Sequence, residues 1–174
     1  MGIRKYDLEV IRDLIGSKKW QMKGLKMLQL GDQSLRDQNN TPALDYFEDK
    51  GVEIISIDIS GKNGSIPIDL NQRISWTIYK NYFDLITNFG TLEHVKDDLI
   101  GYANVNYFLR KGGVVINISP WVDGQYTYHR KAHKYTTQFY TDWCNKYNYK
   151  ILVNKVLPKE DRGANWILAI LQKN

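Results

Sequence analysis

Apolar positions recur at near-helical spacing at the start of the chain: Ile3, Tyr6, Leu8, Val10, Ile11, Leu14 and Ile15, ended by Gly16. The spacing predicts an amphipathic helix over 3–16, with Trp20 and Met22 in the connector behind it. The pattern then changes period. Lys26 to Leu30 reads as a strand stopped by Gly31, followed by a polar turn at Asp32-Gln33-Ser34. Thr41-Pro42 predicts a second helix start, a threonine cap with proline in the first turn. Ala43, Leu44 and Phe47 form its apolar face, and Gly51 ends it. Val52 to Ile57 is largely apolar and β-branched, which predicts a buried strand ending at Asp58.

A polar loop from Ser60 to Ser65 leads to a short strand at Ile66–Ile68 and then to Asp69. The stretch between Asp58 and this strand is too short for a helix. Ile74 to Tyr82 reads as a short aromatic helix, and Leu85 to Thr87 as a buried strand. Asn88, Phe89 and Gly90 are expected in the loop beyond it, with Thr91 as N-cap of a helix running to about Leu109 and Glu93 in its first turn. Lys111-Gly112-Gly113 is expected to break the chain before another buried strand, Val114 to Ile118, closed by Ser119-Pro120. Residues 121–135 form a polar, aromatic loop. Residues 136–147 read as a helix with Phe139, Trp143 and Tyr147 on one side. Tyr149–Val156 and Trp166–Leu171 are strands joined by the charged turn Pro158 to Gly163, a hairpin signal.

Strands alternating with helices predict an α/β fold: a mostly parallel sheet, helices on both faces and an antiparallel C-terminal hairpin strand. The 174 residues are read as a single domain over 1–174, long enough to bury a core. No apolar run reaches membrane-spanning length and no signal-peptide pattern stands at the start, so no membrane contact is expected. The single cysteine, Cys144, has no partner within the chain for a disulfide, which suits a cytoplasmic, reducing setting. No Cys/His group has zinc spacing, so no metal is expected. Net charge is +5, unevenly spread: residues 101–174 hold eleven basic side chains against four acidic. That asymmetry points to an anionic partner for the C-terminal half, or equally to solvated lysines around a neutral pocket.

The chemistry concentrates where strands end. In open α/β sheets ligands lie outside the carboxyl ends of the strands, and there the sequence puts Gly31, Asp58, Asp69 and the run Asn88-Phe89-Gly90-Thr91-Leu92-Glu93-His94-Val95. A carboxylate accepts both hydrogen bonds of a ribose diol, and a glycine allows close backbone approach. Taken with Leu28-Gln29-Leu30-Gly31, Ile57-Asp58, Ile68-Asp69-Leu70 and Leu109-Arg110-Lys111-Gly112-Gly113, these residues make the chain resemble the class I S-adenosylmethionine-dependent methyltransferases. Its Asn-Phe-Gly-Thr followed by Glu-His-Val is similar to a subgroup acting on small molecules and glycans. The motifs cover about residues 26–120.

The resemblance implies a Rossmann-like, seven-stranded sheet of order 3-2-1-4-5-7-6. It implies S-adenosyl-L-methionine as cofactor, held by Gly31, Asp32, Gln33, Asp58, Ile59, Asp69, Leu70, Asn88, Phe89 and Gly90. It also implies methyl transfer to a small-molecule, sugar or glycan-type acceptor. The chain departs from the family in lacking further glycines after Gly31, where it reads Asp32-Gln33-Ser34-Leu35, and in carrying Gln29 where an acid is common. Gly31 begins no Gly-x-Gly-x-x-Gly pattern, which argues against a nicotinamide cofactor.

Methyl transfer is an in-line displacement in which the protein aligns the reactants and sometimes removes a proton. His94 and His129 are the candidate bases, since imidazole titrates near neutrality; Glu93 is the third candidate. Arg130 and Lys131 beside His129 suit an anionic acceptor. Two other readings stay open. One is a catalytically inactive partner subunit with this fold, or a homo-oligomer that completes the site. The other, less favoured, is a nucleic-acid methyltransferase, for which Trp121, Tyr126, Tyr128, Tyr135, Tyr140 and Trp143 among basic residues would stack on bases. The Asn-Pro-Pro-Tyr type motif of amino-group base methylases is absent.

Overall fold

A computed structural model describes residues 2–36, 39–122, 133–158 and 166–174. Seven strands form the main sheet: β2 (Lys26–Leu30), β5 (Glu53–Asp58), β6 (Ile66–Pro67), β7 (Phe83–Phe89), β8 (Leu109–Pro120), β9 (Tyr149–Val156) and β10 (Trp166–Lys173). Across the sheet they lie in the order β6-β5-β2-β7-β8-β10-β9. Numbered within this sheet alone, they read 3-2-1-4-5-7-6. Numbered along the whole chain they do not, because β1 (Gly2–Ile3), β3 (Ser34–Leu35) and β4 (Thr41–Pro42) form a second, three-stranded sheet. Neighbours from β6 to β8 pair parallel; β10 pairs antiparallel with β8 and β9.

The register aligns the side chains in rows. Met27 stands beside Leu85 and Leu85 beside Val114, while Leu28, Ile86 and Val115 form the next row. Because strand side chains alternate, the first row faces one core and the second the other. Met27, Leu85, Val114, Ile116 and Leu168 pack with Ile11, Leu14 and Ile15 of α1 (Lys5–Ser17) and Phe47 of α2 (Ala43–Glu48). Leu28, Ile86, Val115, Ile167 and Ala169 pack with Tyr102, Val105 and Phe108 of α3 (Asp98–Phe108) and Tyr140 and Trp143 of α4 (Thr137–Tyr147).

Several expectations need correction. The helix after β7 does not start at Thr91. Leu92–His94 is one 3-10 turn, and α3 begins at Asp98, capped by Asp97, whose Oδ1 accepts from the Leu99 and Ile100 N–H groups at 3.1 and 3.3 Å. Thr91 is diverted: its hydroxyl donates to the Leu30 carbonyl at 2.8 Å, tying the turn to β2. Asn88 takes the capping role instead, its Oδ1 accepting from the N–H groups of Thr91 and Leu92, both at 3.1 Å. Asn88 and Phe89 belong to β7, not to the loop. Thr41 belongs to β4 and pairs with Leu35 of β3, and Pro42 takes the N-cap position of α2, so the helix starts one residue later than expected.

Lys111-Gly112-Gly113 does not break the chain but lies inside β8, where the pairing with β7 shifts register between Phe83 and Leu85. A methyl group on Gly113 would lie 2.9 Å from the Arg110 carbonyl oxygen and 3.0 Å from that of Phe83, so the glycine serves close strand approach. Residues 74–82 are not a helix beyond the 3-10 turn Thr77–Tyr79. Trp76, Tyr79 and Tyr82 instead pack against Phe83 or Phe108 with ring centroids 5.2–6.4 Å apart, and these contacts outweigh the weak helical preference of β-branched Ile74, Thr77 and Ile78.

Candidate active site

The carboxyl ends of β2, β5, β6 and β7 open onto one cleft of about 370 Å³. Clefts of roughly 300–1,000 Å³ hold ligands of small-molecule size. Gly31, Asp32 and Gln33 line it from the end of β2, and Asp58 and Ile59 from β5. Ile68, Asp69, Leu70 and Asn71 follow β6, and Gly90, Thr91, His94 and Val95 follow β7.

Gly31 makes the turn possible. Its φ is +85° and its N–H donates to the Ile57 carbonyl at 2.8 Å. A methyl group here would strike the Thr91 hydroxyl and come within 2.9 Å of Gln33 Nε2. Position 31 is therefore held to glycine by backbone conformation and by Thr91 together. Gln29, where an acid was the family pattern, is buried and donates from Nε2 to the Gly31 carbonyl and to Ser56 Oγ, both at 3.1 Å.

Asp58 joins two walls of the cleft. Its carboxylate accepts from the Asp32 N–H at 3.0 Å and from the Ser60 N–H at 2.7 Å. Burial works against its charge, but hydrogen bonds from the Ser60 hydroxyl and from these two N–H groups outweigh that effect and hold its pKa below the ordinary 3.8. Asp69 forms an Asx-type turn: the N–H and Nδ2 of Asn71 both donate to its Oδ1, at 2.9 and 2.7 Å, and lower its pKa. Ile59 is 73 % exposed while lining the same cleft as the two carboxylates, and Leu70 and Val95, both buried, line it too. An exposed branched apolar side chain in a cleft that also holds acceptors suits a flat ring with polar edges.

The stretch after β7 divides its residues between surface and interior. Gly90, at φ +84°, and His94, which is exposed, line the cleft. Asn88 and Phe89 do not: Asn88 donates from Nδ2 to Asn117 Oδ1 at 3.1 Å, and Phe89 is buried against the α1 side of the sheet. Glu93 is 1 % exposed and lies beneath the cleft surface, near the buried phenols of Tyr102 and Tyr140. Burial pushes both phenols up; at Tyr140 the hydrogen bonds with Ser119 and Tyr102 pull the other way without offsetting it, so both stay protonated. Their hydroxyls are 3.1 Å apart, and Tyr140 donates to Ser119 Oγ at 3.0 Å.

His129, with Arg130 and Lys131, lies outside the described residues. The chain on either side of that segment is anchored: Val122 N–H donates to the Tyr135 carbonyl at 3.0 Å, and His133 N–H to the Glu93 carbonyl at 2.8 Å. The His133 ring stands 3.9 Å from Asp98 at the start of α3. Tyr135, Tyr140 and Trp143 are buried in the core and unavailable for stacking on bases. Among the described residues no group of His, Cys, Asp or Glu is arranged to hold a metal ion, and no helix is long and apolar enough to cross a membrane.

Four lining residues were not foreseen as cleft residues: Ile68, Asn71, Thr91 and Val95. Asn71 had a usable signal, standing two residues after an aspartate in an Asx-turn pattern. Thr91 and Val95 stand in the run 88–95, where a cap at Thr91 and a helix after it, as the pattern predicts, leave neither side chain to the cleft wall.

No protein-family profile matches the sequence, and no curated protein matches it significantly. Solved structures do match in three dimensions. An S-adenosylmethionine-dependent methyltransferase from Mesorhizobium loti superposes with TM-score 0.68 at 12 % identity, over 97 % of this chain and 98 % of that one. The 1,6-didemethyltoxoflavin-N1-methyltransferase of Burkholderia thailandensis, with its substrate and S-adenosylhomocysteine bound, gives 0.66 at 13 % identity, over 95 % and 76 %. The cyclase SpnF gives 0.64 at 12 % identity, over 95 % and 80 %. Identities this low establish architecture rather than activity, and the last case shows the architecture carrying a different reaction. The sheet order, the antiparallel hairpin and these superpositions together give the chain the Rossmann-like fold of the class I S-adenosylmethionine-dependent methyltransferases.

Proposed function

We propose that the protein binds S-adenosyl-L-methionine in the cleft between Gly31 and His94 and transfers its methyl group to a small-molecule, sugar or glycan-type acceptor. The observation that carries this reading is convergence. Asp58, Asp69, Gly31 and Gly90, which stand far apart in the sequence, line the same cleft. When bound, the cofactor supplies a methyl group on a sulfonium, which an acceptor nucleophile takes as the carbon–sulfur bond breaks.

The residues suit the parts of that cofactor. Asp58 keeps its charge at neutral pH and has acceptor capacity for a ribose diol. Asp69 directs Oδ1 to Asn71, and its other oxygen suits an adenine amino group. Ile59, Leu70 and Val95 offer apolar contact to the ring. His94, exposed in the cleft, is the group to take a proton from the acceptor. Glu93, beneath the surface, acts through position: its carbonyl holds the backbone of His133, where residues 123–132 rejoin the described chain. His129, Arg130 and Lys131 remain the proposed contacts for an anionic acceptor. The structural neighbour from Burkholderia thailandensis, which holds a small heterocycle, supports an acceptor of that size.

A second reading, a non-catalytic partner subunit, is favoured by one observation: Gln33 fills space beside Gly31 where the family pattern has glycine. Calorimetry separates the first reading from the cofactor-free form of the second. Titration with S-adenosylmethionine and S-adenosylhomocysteine is expected to give one site per chain. Absence of heat for both ligands at millimolar concentration would sink the first reading.

A further inference from the structure

The loop after β2 contains an acceptor with nothing to accept. Gln33 lines the cleft, is 2 % exposed, and its Oε1 is buried with no hydrogen-bond partner. Both orientations of the amide leave this problem. Thr91 Oγ1 donates its proton to the Leu30 carbonyl at 2.8 Å, so toward Gln33 it can only accept, from Nε2 at 3.4 Å. Turning the amide over would set Oε1 against an oxygen with no proton left to give. A buried acceptor in this state is unfavourable until a donor arrives.

Two backbone carbonyls of the loop are already engaged. The Gly31 carbonyl accepts from Gln29 Nε2 at 3.1 Å and from Ser56 Oγ at 3.4 Å, and the Gln33 carbonyl accepts from the Ala43 N–H at 2.9 Å. Asp32 donates its N–H to Asp58 and accepts from Asn63 Nδ2 at 2.8 Å. A donor entering this end of the cleft therefore finds the Gln33 side chain, not those two carbonyls, in need of it.

We infer that Gln33 Oε1 accepts a hydrogen bond from the ammonium group at the amino-acid end of the ligand. By this contact the cleft selects ligands carrying an amino acid over adenosine derivatives that lack one. The inference rests on the reading of the cleft as an S-adenosylmethionine site. An ammonium is the fitting donor because an N⁺–H to a neutral oxygen is charge-assisted and roughly twice as strong as a neutral pair. The resting bond to Thr91, at 3.4 Å, lies beyond the usual N–H···O range and restrains the amide weakly. The side chain is thus able to turn toward the cleft it lines.

The test is calorimetry with two probes, S-adenosylhomocysteine and 5′-methylthioadenosine, which shares the nucleoside and lacks the amino acid. Gln33→Leu, which removes the acceptor at similar size, is expected to weaken S-adenosylhomocysteine roughly 10- to 100-fold and to change methylthioadenosine less than about twofold. Gln33→Glu keeps an acceptor and the shape, and is expected to retain the preference for the amino-acid ligand even if the leucine variant fails to fold. Equal losses for both probes, no loss for either, or loss of the preference in Gln33→Glu would overturn the inference. Tighter S-adenosylhomocysteine binding by Gln33→Gly would overturn it in another way, by making Gln33 a plug. If the unaltered protein binds neither probe, the cofactor reading itself falls; if it binds both and Gln33→Leu is silent, only the role of Gln33 falls.

Discussion

The two halves of the sheet are built differently. On the β8-β10-β9 side, α3 and α4 cover the sheet, and Trp143 meets Tyr102, Tyr147 and Tyr149 with ring centroids 4.4–5.6 Å apart. On the β5-β6 side no helix joins β5 to β6, a single 3-10 turn precedes β7, and Ile59 and Ile78 are 73 % and 74 % exposed. On the face that α3 and α4 cover, the first half is completed by its own side chains. The other leaves Ile59 exposed in the cleft, as a wall does when a ligand supplies the missing contacts. The lesson is that support and recognition are separated along the sheet, so mutations in the two halves should fail in different ways.

Trp143→Ala should give the largest effect. Emptying this aromatic site is expected to cost about 3–5 kcal/mol of stability, read by urea denaturation, with little change in S-adenosylhomocysteine affinity at a temperature where the variant stays folded. A matching loss of affinity would erase the separation. Asp58→Ala should do the reverse: affinity falls by roughly 1.5–3 kcal/mol, the scale of hydrogen bonds to a charged group, while stability falls by less than the loss in Trp143→Ala, from the Asp32 and Ser60 N–H groups left without their acceptor. An unchanged dissociation constant would remove Asp58 from the site. Ile59→Ser should cost less, about 1 kcal/mol of affinity from lost apolar contact, with no loss of stability, since the side chain is exposed in the free protein. A destabilised Ile59→Ser would show that this wall is internally packed after all.

The smallest effect concerns pH. Asp58 and Asp69 both have lowered pKa values. A group of this kind contributes above its unfolded pKa and loses its contribution as pH falls through the lower folded value. Affinity that depends on these carboxylates should therefore be flat from pH 8 to about 5 and decline only below the ordinary carboxylate range. A step near pH 6 to 7 in the calorimetric constant would point to a histidine, with His94 the first to replace.

Much of the architecture was readable because the strands are long, apolar and regularly spaced; β9 runs over Tyr149–Val156 as its pattern predicted. Asp58 and Asp69 were readable as acids ending apolar runs. What escaped depends on contacts between distant residues. β1, β3 and β4 are two residues each and exist only through mutual pairing. Thr91 looks like a cap until the Leu30 carbonyl claims its hydroxyl, and Glu93 looks exposed until the fold buries it near the phenols of Tyr102 and Tyr140. Gly112 and Gly113 look like a stop because no local pattern separates a chain break from a bend within a strand. The cleft's acids were thus legible and the partition of residues 88–94 between surface and interior was not.

The placement of β10 has a consequence in time. β9 precedes β10 in the chain, yet β10 lies between β9 and the rest of the sheet. As the polypeptide emerges during synthesis, β9 finds no strand to pair with, because its one sheet neighbour has not yet been made. Non-local pairing of this kind is slow and exposes strand edges. Ile151 and Val156 must wait in solution or against a chaperone until Trp166–Lys173 appears, and the hairpin then docks on β8 as a unit. The edge strand of the finished sheet is the one that a growing chain has to leave unpaired until the strand after it is made.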